Sequence, residues 1–69
     1  MVNNKLREIR KNREIRLIDL ASGVGVARQT IHAIETGKYI ASLEVALKVS
    51  MYLKLSVEDV FKLSKNERN

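Results

Sequence analysis

The chain has 69 residues, 45% hydrophobic and 30% charged, with no cysteine or proline and a formal net charge of +5. One core near the lower limit of unassisted folding fits this length; disulfides and thiolate metal sites are excluded, leaving a second copy of the chain as the source of further buried surface. No stretch approaches the roughly 18 apolar residues of a membrane span, and the opening MVNNKLREIRKNREIR lacks an apolar h-region, so the expectation is a cytoplasmic protein without membrane contact.

Helical spacing recurs along the chain while strand signals are weak, and the pattern predicts a compact, all-α domain of five helices. The first spans about Lys5 to Arg13, with Asn3 or Asn4 as its cap and Leu6 and Ile9 inward. The second, about Leu17 to Gly23, buries Leu17, Leu20, Ala21 and Val24; Gly25 supplies the left-handed conformation that ends a helix at little cost. The third covers Arg28 to Thr36, with Ile31 and Ile34 inward and Gly37 as its stop. Ser42 caps the fourth, Glu44 suits its positive end, and it runs to Leu53. Ser56 caps a short fifth, with Glu58 and Asp59 in its first turn and Val57, Val60 and Phe61 on one face. The domain takes in residues 1–63, and from Ser64 the sequence reads as a polar tail that frays.

The fourth helix is short of polar residues. Between Leu43 and Leu53 only Glu44, Lys48 and Ser50 are clearly polar, fewer than the outer face of a surface helix needs. Two readings stand: a central core helix, or a helix partly covered by another chain. Met51, Tyr52 and Leu55, together with Phe61 and Leu63, are the candidates for a dimer interface.

Charge is distributed unevenly. Up to Arg16 there are six Lys/Arg against Glu8 and Glu14, whereas 17–53 balances Arg28, Lys38 and Lys48 against Asp19, Glu35 and Glu44. Such a basic first segment suits a polyanion or a solvated helix face. The segment LIDLASGVGVARQTIHAIET, 17–36, is the most informative. It reads as two short amphipathic helices joined by a glycine-bearing turn, the second opening with arginine and glutamine. In a basic chain that arrangement suits a helix placed in the major groove of DNA.

The strings VARQTIHAIETGKY, SLEVALKVSMYL and SVEDVF, in this order and spacing, make the span from Asn3 to Leu63 resemble the Cro/repressor (xenobiotic-response-element) class of helix-turn-helix regulators. Small dimeric bacterial and archaeal regulators of the cytolysin-repressor type are similar in consisting of little else. The resemblance implies five helices, the third as recognition helix, and two-fold dimers on palindromic operators. Two recognition helices entering successive major grooves on one face then stand roughly 34 Å apart.

On this resemblance Arg28 and Gln29 open the recognition helix, where side chains first reach base edges. Arginine matches guanine O6/N7 and glutamine adenine N6/N7, while the alternatives are a phosphate contact for Arg28 and a solvated helix start for both. His32 shares their outward side, as a donor to a base or phosphate or as an ordinary surface residue, and Ala33 offers a methyl to thymine or leaves space. Thr30 suits packing or a phosphate as well as a base. Lys38 and Tyr39 follow Gly37 in a loop that the resemblance brings to the DNA backbone, where an ammonium and a phenol suit phosphate oxygens. Tyr39 covering the edge of the core is the alternative. The resemblance also makes Arg10 and Glu35 an ion pair that joins the first helix to the third and fixes its orientation.

Three positions depart from the family pattern. Arg16-Leu17 replaces the usual Thr-Gln at the start of the second helix. Leucine can neither cap nor hold a phosphate, whereas Arg16 still offers positive charge to the backbone. Ala27 replaces the serine that caps the third helix, a loss of about 1 kcal/mol and one phosphate contact. Ala41 stands where proline is common. Backbone amides at the helix starts still attract phosphate.

One histidine, no glycine-rich phosphate loop and scattered carboxylates argue against an enzyme, a cofactor or a metal site. The expected function is a sequence-specific, double-stranded DNA-binding transcriptional repressor acting as a homodimer, with no small-molecule effector evident. The alternatives are the DNA-binding antitoxin of a toxin–antitoxin pair, or a protein-interaction module with reduced DNA binding.

Overall fold

The computed structural model describes residues 2–63. Seven elements follow in order: β1 (Val2–Asn4), α1 (Leu6–Asn12), α2 (Leu17–Val24), α3 (Arg28–Glu35), α4 (Leu43–Leu53), α5 (Val57–Val60) and β2 (Phe61–Leu63). The five helices stand where the spacing predicts them. The proposed tail from Ser64 lies outside the described residues.

Leu6, Leu20, Ala21, Val24, Ile31, Ile34, Val49, Leu53 and Val60 form the core, so every helix contributes to it. Ile9, Ile15, Leu17, Val26, Val45, Leu55 and Phe61 pack around its edge. Leu17 is therefore partly buried against the edge of the core. α2 packs against both α3 and α4. At the second contact the Tyr52 ring lies against Gly23, where a Cβ would collide with the Tyr52 ring.

Local chemistry sets most boundaries. Ser42 Oγ accepts from the Val45 amide, and Ser56 with Asp59 forms a reciprocal capping box at α5. Gly25, at φ 85°, ends α2 in the left-handed region. α1 is capped differently: Asn4 Oδ1 accepts from the Leu6 amide at 3.1 Å, while its Nδ2 donates to the Ile34 carbonyl at 2.9 Å. Asn4 thus satisfies the start of one helix and the end of another, whereas Asn3 is exposed in β1.

Two details differ from the sequence pattern within the expected five-helix fold. The ribbon of β1 and β2, antiparallel with Val2 opposite Leu63 and Asn4 opposite Phe61, adds strands to the helical fold. Phe61 and Leu63 belong to it, because α5 stops at Val60. Three-residue strands carry too few positions for alternation to register, and these pair across almost the whole described chain. Secondly, Ser50 is not part of the polar face of α4. It is buried with Ala46, Val49 and Leu53, while Leu43, Leu47 and Met51 are exposed.

Candidate nucleic-acid interface

The turn between α2 and α3 is short. The amides of Gly25 and Val26 both donate to the Ala21 carbonyl, and extended backbone at Ala27 starts α3. Ile31 and Ile34 anchor the inner side of α3 in the core. Helical spacing then leaves Arg28, Gln29 and His32 exposed on one outward arc, with Ala33 half-buried at its edge.

That arc carries no carboxylate, because Glu35 turns inward. Arg10 Nε donates to Glu35 Oε2 at 2.7 Å, and Nη2 donates to Oε1 at 3.2 Å. The side chains are 13% and 2% exposed, and Arg10 Nη1 also donates to the Ile15 carbonyl at 3.0 Å. The pair joins α1 to the last turn of α3, and Asn4 holds the same turn through Ile34. Both fix the direction of the outward arc. The Asn4 bond has no signal in the sequence beyond a polar residue beside a helix start.

After α3 the chain folds back on itself. Gly37, at φ 78°, lets the Lys38 and Tyr39 amides donate to the Ala33 carbonyl at 2.9 and 3.2 Å. Lys38 is exposed, and Tyr39 is half-exposed outside the core. Thr30 is half-buried on the flank of α3 that faces Tyr39.

Arg16 is less free. Its Nε and Nη2 donate to the Asp19 carboxylate at 2.8 and 3.2 Å on the surface. The hydrogen bond to Asp19, and then its charge, raises the arginine pKa above its ordinary value. The guanidinium must leave this partner, or share it, to reach a phosphate. Lys5, just before α1, and Arg7 and Lys11 on it are exposed, with the exposed carboxylate of Glu8 among them. Arg13 of that segment is partly committed: its Nη1 donates to the Leu53 carbonyl at 2.6 Å, at the negative end of α4.

The dimer candidates separate into two groups. Met51, Leu63 and Tyr52 are exposed, Tyr52 with its ring against Gly23, whereas Leu55 and Phe61 are half-buried against the core. Sequence reasoning missed Ile40, Leu43 and Leu47. Leu43, Leu47 and Met51 recur at four-residue spacing and form one apolar stripe along α4. Ile40 and Leu63 meet Leu43 in a groove at its end. Leucines look like core in a sequence; only their phase relative to Ala46, Val49 and Leu53 places them outside. No described helix is long and apolar enough to cross a membrane.

A family profile described as helix-turn-helix matches residues 6–60. The chain is 43% identical over 60 residues to an uncharacterized HTH-type transcriptional regulator of Methanocaldococcus jannaschii, an alignment covering 87% of this chain and 91% of that one. Over 60 residues it is 42% identical to the uncharacterized HTH-type transcriptional regulator YgzD of Bacillus subtilis, with the same coverage of 87% and 91%. An uncharacterized HTH-type transcriptional regulator of Archaeoglobus fulgidus is 33% identical over 66 residues, covering 96% and 93%.

Proposed function

The chain belongs to the helix-turn-helix family of Cro/repressor-type transcription regulators, and on that premise we propose that it represses transcription as a two-fold dimer on a palindromic operator. DNA binding follows from the family. The observation that carries the finer reading is the outward arc of α3, with Arg28, Gln29 and His32 presented together and no carboxylate among them. Arg28 and Gln29 read base edges, His32 and Ala33 lie behind them in the groove, and Lys38, Tyr39, Thr30 and Arg16 hold phosphates. The first-turn amides of α3, which Ala27 leaves without a side-chain cap, add a further attraction for phosphate.

The reading requires a dimer because a single short helix reads too few bases for an operator. The stripe of Leu43 (72% exposed), Leu47 and Met51 (77% exposed), continued by Ile40 and Leu63, supplies an apolar surface for the second copy. A Leu47→Glu variant, whose position is already exposed, keeps its fold and sediments as a monomer at concentrations where the parent is a dimer. A parent chain that is monomeric at all concentrations, its stripe free for a different protein, would contradict the two-fold arrangement.

Selection from a random duplex library tests the whole proposal. An enriched palindrome with half-sites one helical turn apart is expected, with log K falling steeply against log salt. Binding without enrichment would overturn it.

A further inference from the structure

The ribbon of β1 and β2 meets both the apolar surface and the recognition helix. Val2, Phe61 and Leu63 line a groove of about 320 Å³ together with Ile40 and Leu43. Asn4 ends β1 opposite Phe61, and its Nδ2 donates to the Ile34 carbonyl in the last turn of α3. The Lys5 amide, donating to the Val60 carbonyl at 2.8 Å, fixes the same point of the chain. Nothing caps the start of α3, since Ala27 has no side-chain acceptor, so its direction is set from its last turn. Strands of three residues make a ribbon that is marginal by itself, and chain ends open at little cost.

We propose that a second copy seated on the groove stabilises the ribbon, and that Asn4 passes this to α3 as a positioning residue, so that a protomer within the dimer reads its half-site better than a monomer does. The proposal rests on the two-fold dimer. Leu43 and Met51 stand at equal spacing either side of Leu47, so two stripes run antiparallel match each other. Beside the stripe Lys48 Nζ lies 2.8 Å from Glu44 Oε2, and the two charges cancel. Two chains of net charge +5 thereby meet on a face that carries no net charge. Covering Val2, Phe61 and Leu63 favours the paired ribbon over the open one through the apolar area removed from water. With the ribbon paired, the Asn4 carboxamide stays at the Ile34 carbonyl and the outward arc keeps one direction. With it open, the Arg10–Glu35 pair holds that turn without Asn4.

The test uses a short duplex carrying one selected half-site, on which a single α3 engages and avidity plays no part. Each affinity is divided by that of the same protein for a scrambled duplex of equal length, which removes effects of charge and of folded fraction. The parent dimer exceeds the Leu47→Glu monomer in this ratio by about tenfold, the worth of one hydrogen bond made only in the aligned state. Asn4→Ser keeps a cap acceptor for the Leu6 amide, adds no charge and is too short to reach Ile34. It brings the dimer down to the monomer's ratio, and adding it to Leu47→Glu loses nothing more. Asn4→Asp keeps the size and the acceptor, lacks the donor and gives the same pattern; it carries the test if circular dichroism shows Asn4→Ser to be unfolded. Equal ratios for the parent and Leu47→Glu would overturn the coupling, as would an Asn4 variant whose loss is the same in monomer and dimer. A parent that sediments as a monomer at all concentrations would overturn the dimer itself, and the coupling with it.

Discussion

Arg10 on α1 and Glu35 on α3 face each other in a bidentate pair whose carboxylate is almost completely shielded from water. Burial makes the pair costly to break and of little net value when whole, because each charge gives up its hydration. Glu35→Ala leaves the guanidinium uncompensated and lowers unfolding stability by about 3–5 kcal/mol. The double variant Arg10→Met, Glu35→Leu recovers most of that loss in a urea titration. If the double variant is as unstable as Glu35→Ala alone, the cost comes from packing and not from an unpaired charge.

Lys54 ends α4 in the left-handed region, at φ 59°, where a Cβ is unfavourable. Lys54→Gly raises stability by about 0.5–1 kcal/mol. Lys54→Ala, which keeps the Cβ, brings no such gain. Equal midpoints for the two variants would show that strain at this position is not the reason.

Ser50 Oγ is buried in α4 without a hydrogen-bond partner. An unpaired buried hydroxyl costs on the order of 1 kcal/mol or more, and alanine is also the better helix former. Ser50→Ala therefore stabilises by about 1 kcal/mol, read as a higher urea midpoint with an unchanged slope. A lower midpoint would mean that the hydroxyl has a partner in solution.

These positions show where sequence reasoning stops. Ser42, Ser56 and Gly25 announce helix ends because their own side chains, or the lack of one, do the work. Lys54 and Glu14 adopt the same left-handed conformation as Gly25 with nothing in their chemistry to announce it. Apolar period alone could not phase α4, which has leucine, valine, methionine or alanine on nearly every side; contact with α2 and α5 decides that Ser50 goes in and Leu43 stays out. The bipartite unit 17–36 was legible because its inward isoleucines and outward polar residues alternate clearly. The place of Tyr39 beside it was not, since it depends on Gly37 bringing the chain back to Ala33.

Acid weakens two helix ends in a defined direction. The Ser56 hydroxyl and amide bonds, helped by Lys62, hold the Asp59 pKa below its ordinary 3.8, and the Lys48 bond and charge hold Glu44 below its ordinary 4.5. Groups with depressed folded values contribute stability that is complete above the ordinary values and lost as pH falls through the folded ones. The urea midpoint is therefore insensitive to these two carboxylates near neutrality and declines once pH drops below 4.5. Asp59→Asn makes that decline shallower. Both groups are on the surface, so the change is modest, and an acid decline identical in the variant would remove Asp59 from the account.

The most direct measurement compares Gln29→Ala with the parent on a selected operator and on a scrambled duplex at one salt concentration. A base-reading α3 predicts a loss of roughly fivefold or more per half-site on the operator, with unchanged affinity for the scrambled duplex. Equal losses on both duplexes, or none on either, would contradict the claim that this helix reads sequence.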